Sequence, residues 1–295
     1  MDVSIIIVNY NTKDLTMQCI DSVIEKTTDV KYEIILVDNA SADGSVAALK
    51  AKYNDVIVIE SPTNLGFGRA NNLGVKSASG KYLFFLNSDT ILLNNAIYHF
   101  FNFAETNPQL TLGVAGCVLK DAELKETLSW GVFPTKTRTI LETLRIQGMS
   151  KLSSLQKEEL DQNKFIQIYG NISGADMFML KSVFCNIGEF DDNIFMYYEE
   201  TDLQRKLEDK GYKQYLLNTP DIIHLEGQSS KTVSVNNFKR MIILRSMFYY
   251  FRKHSNSVSY ILFRLVYLAL RVATFFDIRY SLQERKDYLK LLLKF

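Results

Sequence analysis

Within the first 86 residues, four short apolar runs, at 3–8 and 33–37, rich in β-branched side chains, and at 55–59 and 82–86, alternate with stretches of helical spacing. No other pattern in the chain constrains the fold as much. Strands separated by helices pair in parallel, and such a sheet needs both of its faces covered. Between the first two runs, Leu15, Cys19, Ile20, Val23 and Ile24 recur at the intervals of one helical face. Small residues over 68–77 predict a second, closely packed helix, ended by Ala78-Ser79-Gly80. A further helix over 94–107 is closed by Pro108, and 111–118 returns as a strand. The expectation is an α/β fold with a mostly parallel central sheet flanked by helices.

From 119 onward the pattern weakens. Phe133-Pro134-Thr135 reads as a turn, and 135–165 as a variable segment with helical fragments near 140–145 and 155–160, suited to acceptor contacts. Compact patterning resumes over 166–223, with an apolar run at 172–180, a helix over 200–210 stopped by Gly211, and a closing strand at 213–217. A polar loop, 224–230, leads into a helical tail. The chain thus divides into a body, 1–235, with halves 1–118 and 119–235, and an extension, 236–295.

The net charge of +1 hides an asymmetry: residues 239–295 hold 12 Lys or Arg against 3 Asp or Glu, leaving 22 against 30 in the first 238 residues. The acidic body opposes a long polyanion, so no nucleic-acid partner is expected. Basic residues alternating with apolar ones fit an anionic membrane surface. There Lys239, Arg240, Arg245, Arg252, Lys253, Arg264 and Arg271 would face lipid, while Phe248, Tyr249, Phe251, Phe263 and Tyr267 would enter the interface. The same aromatics would equally serve as the seam of a homodimer or as the tail's own core contact. The run 258–276 does not read as a span, because Arg264 and Arg271 are costly at bilayer depth. The start, Met1-Asp2-Val3-Ser4, reads as a first strand and not a signal peptide. Cys19, Cys117 and Cys185 lie far apart with no CxxC, which fits buried thiols in a reducing compartment. The expected location is cytoplasmic, peripheral on the inner face of the cell membrane.

Several polar stations follow predicted strands, where open α/β sheets gather ligands. Asp38 ends the second strand, placed to hold a base edge or a ribose hydroxyl; an Asx-turn closing the loop would use the same side chain. The first strand ends Val8-Asn9-Tyr10-Asn11 with no G-x-G-x-x-G, which disfavours a dinucleotide fold. In the stretch from Asn64 to Asn72, Gly66 permits close backbone approach and Arg69 near a helix start would meet a phosphate; a plain turn before a helix is the bland alternative. Asn87-Ser88-Asp89 places a carboxylate where Mg²⁺ or Mn²⁺ would bridge it to a diphosphate, although a lone N-S-D is also an ordinary surface turn. Glu199, Glu200 and Asp202 open a helix behind Phe195, Met196, Tyr197 and Tyr198, so a partly desolvated general base competes with a solvated, capped first turn. His224 follows the last strand, within reach of a metal or phosphate, whereas His99 and His254 read as structural.

Taken in order, Ser4 to Asn11, Val37 to Gly44, Asn64 to Asn72, Asn87-Ser88-Asp89, Gly174-Ala175, Gly188-Glu189-Phe190-Asp191 and Glu199 to Leu203 resemble the family-2 inverting glycosyltransferases with the GT-A fold. The V-N-Y-N start, the N-x-G-F-x-x-A-N-N segment and the late H-x-x-G-x-S are similar to the rhamnosyltransferase branch of bacterial polysaccharide assembly, of O-antigen or cell wall. The resemblance implies a Rossmann-like sheet with the basic-apolar helices as a C-terminal extension. It implies nucleotide-sugar contacts at Asn9, Asn11, Asp38, Asn64, Gly66, Arg69, Asn71, Asn87 and Ser88, and a metal at Asp89 with His224 beside the diphosphate. Glu200 matches the general base, with Glu199 and Asp202 beside it. Two departures stand out: Asn87 replaces a stronger Asp ligand, and Glu200 is one methylene longer than the more frequent Asp. The implied reaction moves L-rhamnose from dTDP-L-rhamnose to a hydroxyl of a lipid-linked glycan. Two alternatives are a UDP-hexose donor with the same machinery and a non-catalytic scaffold that kept the fold.

Overall fold

The computed structural model describes residues 1–144, 154–225, 237–271 and 280–294. The N-terminal half runs β1 (Val3–Asn9), α1 (Lys13–Lys26), β2 (Tyr32–Asp38), α2 (Ser45–Lys52), β3 (Val56–Glu60), α3 (Phe67–Val75), β4 (Tyr82–Asn87), β5 (Thr90–Leu92), α4 (Ala96–Thr106) and β6 (Leu112–Cys117). Then follow β7 (Trp130–Gly131), α5 (Lys136–Thr143), α6 (Ser154–Asn163), β8 (Phe165–Ile168), β9 (Asn171–Ile172), β10 (Asp176–Leu180), α7 (Lys181–Asn186), α8 (Glu199–Asp209), β11 (Lys213–Leu217) and β12 (Ile222–His224). The extension holds α9 (Asn237–Lys253), α10 (Ser257–Arg271) and α11 (Leu282–Lys294).

One eight-stranded sheet, ordered β3-β2-β1-β4-β10-β6-β11-β8, forms the centre. β1 pairs in parallel with β2 and β4, β2 with β3, and β6 with β11, as the alternation of strands and helices predicts. Two strands run the other way: β10 lies antiparallel between β4 and β6, and β8 antiparallel on β11. The direction of β10 follows from its entry point. Asp176 pairs with Leu86, so the strand starts at the carboxyl edge of β4 and carries Ser173, Gly174 and Ala175 there.

The two-residue period of the strands divides the core into two layers. Ile5, Ile7, Phe84 and Phe178 pack with Phe100 of α4 on one face, and Ile6, Phe85, Met177 and Met179 pack with Phe184 and Phe190 on the other. Each such side chain removed from water stabilises the fold by roughly 1.5–3 kcal/mol. The small residues of α3 have a steric reason: a Cβ at Gly74 would lie 2.7 Å from Ile6 and 3.1 Å from Val37 side-chain atoms. A two-stranded ribbon, β5 with β12, places His224 opposite Thr90, next to Asp89.

The extension corrects one reading of its aromatic residues. Phe248, Phe251, Phe263 and Tyr267 are buried with Leu244 and Leu292 in a third core, with Ile140 and Tyr198 packed against it, and so are not free to enter a lipid interface. Arg264 and Arg271 likewise turn inward, donating to the Leu293 carbonyl (2.5 Å) and the Tyr267 hydroxyl (3.1 Å). The exposed apolar positions of α10 are Val258, Ile261, Leu262, Leu265 and Val266, at 48–70% of full exposure. Among the described residues no helix is long and apolar enough to cross a membrane.

Candidate active site

The loops at the carboxyl ends of β1 and β2 are knitted together by the residues expected to hold a nucleotide. Asn9 donates to Asp38 (2.7 Å) and to the Ser41 hydroxyl (3.0 Å), while the second Asp38 oxygen accepts from the Ser41 amide (3.0 Å). Asp38 therefore closes an Asx-type turn and, buried at the strand end, also fixes Asn9. Asn11, with a left-handed φ of 55°, accepts from the Ala42 amide (2.7 Å). Asn39, not singled out in the sequence, ties in the next loop: it donates to Asn64 (3.0 Å) and the Gly66 carbonyl (3.1 Å), and accepts from the Leu65 amide (2.8 Å).

Gly66 is required twice over. Its φ of +83° suits glycine, and a Cβ there would overlap the Phe195 carbonyl, which accepts from the Phe67 amide (2.9 Å). Asn71 donates within its own helix to the Phe67 carbonyl (3.1 Å), a local bond and not a contact toward the strand ends. Its neighbour Asn72 has the long-range role, donating to the Phe190 carbonyl (2.9 Å) and accepting from the Phe190 amide (3.2 Å). Arg69 departs from its expected partners. Its Nε donates to the Leu65 carbonyl (2.8 Å), and the side chain lines a cavity against α9.

At the end of β4 the acidic station assembles with its distant histidine. His224 Nε2 lies 3.2 Å from Asp89 Oδ1 and 3.3 Å from Asn87 Nδ2, and Ser88 meets the Thr12 hydroxyl at 3.2 Å. The β5–β12 ribbon is what brings them together. Asp176, which sequence reading passed over as part of an apolar run, is wholly buried nearby in the sheet. Desolvation pushes its carboxyl up to about 7, although one oxygen accepts from the Cys117 amide (2.6 Å) and His224 opposes the shift. The other oxygen has no hydrogen-bond partner among the described residues.

Glu199 and Glu200 open α8 after two left-handed residues, Tyr197 (φ 63°) and Tyr198 (φ 72°). The solvated, capped first turn is not what forms: Tyr198 holds the cap position with no side-chain cap, and Glu199 is buried with one carboxyl oxygen unpartnered among the described residues. Burial raises Glu199 well above the ordinary carboxylate range, with the charge of Glu200 adding to it, and burial raises Glu200 as well. Asp202 is a correction. Its carboxylate is fully buried and bound to Lys253 (2.8 Å) and His254 (2.7 Å) of the α9 end, so it anchors α8 and is not available to an acceptor.

One turn joins the two acidic stations. A Cβ on Gly174 would lie 3.7 Å from Glu200 side-chain carbons, and the next residue, Ala175, accepts from the Asn87 amide (2.9 Å). Glu200 and the Asn87-Ser88-Asp89 station therefore flank Gly174-Ala175 at the carboxyl edge of the sheet.

The sequence pattern of Glycosyl transferase family 2 matches residues 4–183, which holds every strand-end station except Glu200 and His224. The chain belongs to this family. It is 40% identical over 119 residues to a poly(ribitol-phosphate) beta-glucosyltransferase of Bacillus spizizenii, covering 38% of this chain and 19% of that one. It is 27% identical over 168 residues to the poly(ribitol-phosphate) beta-N-acetylglucosaminyltransferase TarP of Staphylococcus aureus, covering 55% of this chain and 51% of that one. The chain thus spans about half, or less, of the length of these curated relatives. Crystal structures similar in fold include S. aureus TarS (TM-score 0.56, 14% identity, 96% of this chain and 46% of that one). Another is GalNAc-T7 with UDP, GalNAc and Mn²⁺ (TM-score 0.61, 16% identity, 88% and 52%). The fold of this family-2 member is GT-A. Gly227 and Ser229, which complete the H-x-x-G-x-S segment, lie outside the described residues.

Proposed function

We propose that the chain is an inverting, metal-assisted hexosyltransferase that moves a sugar from a nucleoside diphosphate to a hydroxyl of a cell-surface glycan. One observation carries the reading: the Gly174-Ala175 turn lies between Glu200, whose side-chain carbons stand 3.7 Å from where a Cβ on Gly174 would be, and the end of β4, where the Asn87 backbone amide donates to the Ala175 carbonyl (2.9 Å). Glu200 removes the proton of the acceptor hydroxyl as its oxygen attacks the anomeric carbon, and the nucleoside diphosphate departs from the opposite face, so the configuration inverts. Desolvation supplies the base with more proton affinity than an ordinary glutamate. The Asn9–Asp38–Ser41 lattice and Asn64 hold the loops that bind the nucleoside.

The metal residues fit a divalent ion sparingly. Among the described residues no group of three or more His, Cys, Asp or Glu is placed to hold one, so Asp89 and His224 would share it with the diphosphate oxygens, while Asn87 turns its side-chain nitrogen to His224. Donors of this kind, completed by diphosphate oxygens, suit Mg²⁺ or Mn²⁺, which would supply positive charge for the leaving diphosphate.

Two donors compete. The glucosyl and N-acetylglucosaminyl transfers named for the relatives favour a UDP-hexose, while the V-N-Y-N and N-x-G-F-x-x-A-N-N segments support dTDP-L-rhamnose. Isothermal titration with UDP, dTDP, GDP and NAD⁺, each with Mn²⁺ and with EDTA, separates them; binding of none overturns the nucleotide-sugar reading. Glu200→Gln is expected to lower transfer by roughly 10²- to 10⁴-fold with nucleotide affinity retained. Undiminished transfer would remove Glu200 from the base role, and a wild type that binds nucleotide without turnover would promote the scaffold alternative.

A further inference from the structure

A cavity of about 330 Å³ beside the catalytic loop is lined by Arg69, Asp192, Asn193, Phe195, Arg245 and Tyr249. Its two guanidinium groups come from separate elements, α3 and α9. Arg69 is half-buried and held by its Nε bond to Leu65, which leaves the outer nitrogens of its fork for a ligand. Arg245 is exposed and makes no ion pair among the described residues. The single carboxylate in the wall, Asp192, accepts from Asn72 (3.3 Å). Phe195 and Tyr249 supply apolar faces between the charges, and Tyr249 is fixed by donating to Asp191 (3.0 Å). Phe195 stands five residues before Glu200, on the loop that delivers the base.

Two guanidinium groups and two aromatic rings lining one cavity match a phosphate ester attached to a sugar or polyol: forks for the phosphate oxygens, rings for the carbon skeleton. The lining of this cavity shares no residue with the Asn9–Asp38–Ser41 lattice, although Arg69 is tied to Leu65 of the loop that Asn39 holds. From these placements we infer that the Arg69–Arg245 cavity is an acceptor subsite that binds a phosphate group carried by the glycan acceptor. The inference rests on the glycosyltransferase reading and names its acceptor class. A phosphodiester of a polyol chain and the diphosphate of a lipid-linked sugar share this chemistry.

The test is calorimetric and does not need turnover. Wild-type protein is titrated with a short glycerol-phosphate oligomer, with a short-chain prenyl-diphosphate sugar and with neutral maltotriose, and separately with UDP and dTDP plus Mn²⁺. At least one phosphorylated probe is expected to bind about tenfold or more tighter than maltotriose, and which one does identifies the source of the phosphate. Arg245→Gln is expected to lose that preference while nucleotide affinity stays within twofold; Arg69→Lys, which keeps the charge, is expected to lose less. An unchanged thermal midpoint in Arg245→Gln separates lost contact from lost fold. Absence of any phosphate preference, its retention in Arg245→Gln, or a parallel loss of nucleotide affinity would each overturn the subsite. Failure of the wild type to bind any nucleotide would instead sink the glycosyltransferase reading.

Discussion

Two adjacent glutamates open α8, Glu199 buried and Glu200 half-buried, so water screens their charges poorly there. Burial raises both, and the raised folded-state values fix the sign of two pH effects. A base works when deprotonated, so kcat/KM is expected to rise with pH along an acid limb whose midpoint lies above the value of about 4.3 of a free glutamate. A limb centred at or below that value would show that Glu200 is solvated in the working enzyme. Stability moves oppositely. A carboxyl whose folded value is raised favours the fold while protonated, so this contribution is present in acid and is lost as pH rises through the raised value. Asp191 works in the other direction. Its own burial is outweighed by the hydrogen bond from Lys253, which holds it well below the usual range, so its contribution is present at neutral pH and lost as pH falls through the acid range.

Between elements, the contact of α8 with α9 decides where Glu200, the proposed base, stands. Ser246 donates to the Met196 carbonyl (2.8 Å), the Tyr250 ring packs on Tyr198 with centroids 5.5 Å apart, and Asp202 receives Lys253 and His254. Asp202→Ala would leave Lys253 and His254 facing an emptied, buried site, and is expected to cost about 3 kcal/mol in denaturant unfolding. A change under 1 kcal/mol would mean that α9 is held by its apolar contacts alone. This clamp was not legible in the sequence, because its partners are some fifty residues apart and His254 looked like any structural histidine. The alternation of β1 to β4 with helices was legible, since burial on both sheet faces writes itself as continuous apolar runs. α2 was missed because only Ser45 and Leu49 are buried on it, too few to make a stripe. The antiparallel β10 carries the same apolar signature as a parallel strand, so nothing local marks its direction. Asp89 and Glu200 stood out by following apolar runs, whereas Asn39 and Asn72, although inside quoted motifs, and Asp176, in none, act through long-range bonds that local sequence does not announce.

On the scale of the whole molecule, we propose that the chain sits on the inner face of the cell membrane, supported by the basic balance of 239–295 and the apolar outer stripe of α10. Flotation with anionic vesicles is expected to carry the protein, and Ile261→Glu with Leu265→Glu to abolish it. If the double variant still floats, the stripe is not the anchor; if the wild type stays behind as a dimer that the variant breaks, a second copy covers it. The central sheet sets a different kind of condition, on how the chain comes into being. During synthesis β4 emerges complete at residue 87, yet its neighbour β10 is not made until nearly ninety residues later. For that interval one edge of a very apolar four-stranded sheet, β3-β2-β1-β4, lies bare on the ribosome. β10 brings the Gly174-Ala175 turn, and Glu200 and His224 follow it later still, so the nascent protein passes through a stage exposed to aggregation before its candidate site is complete.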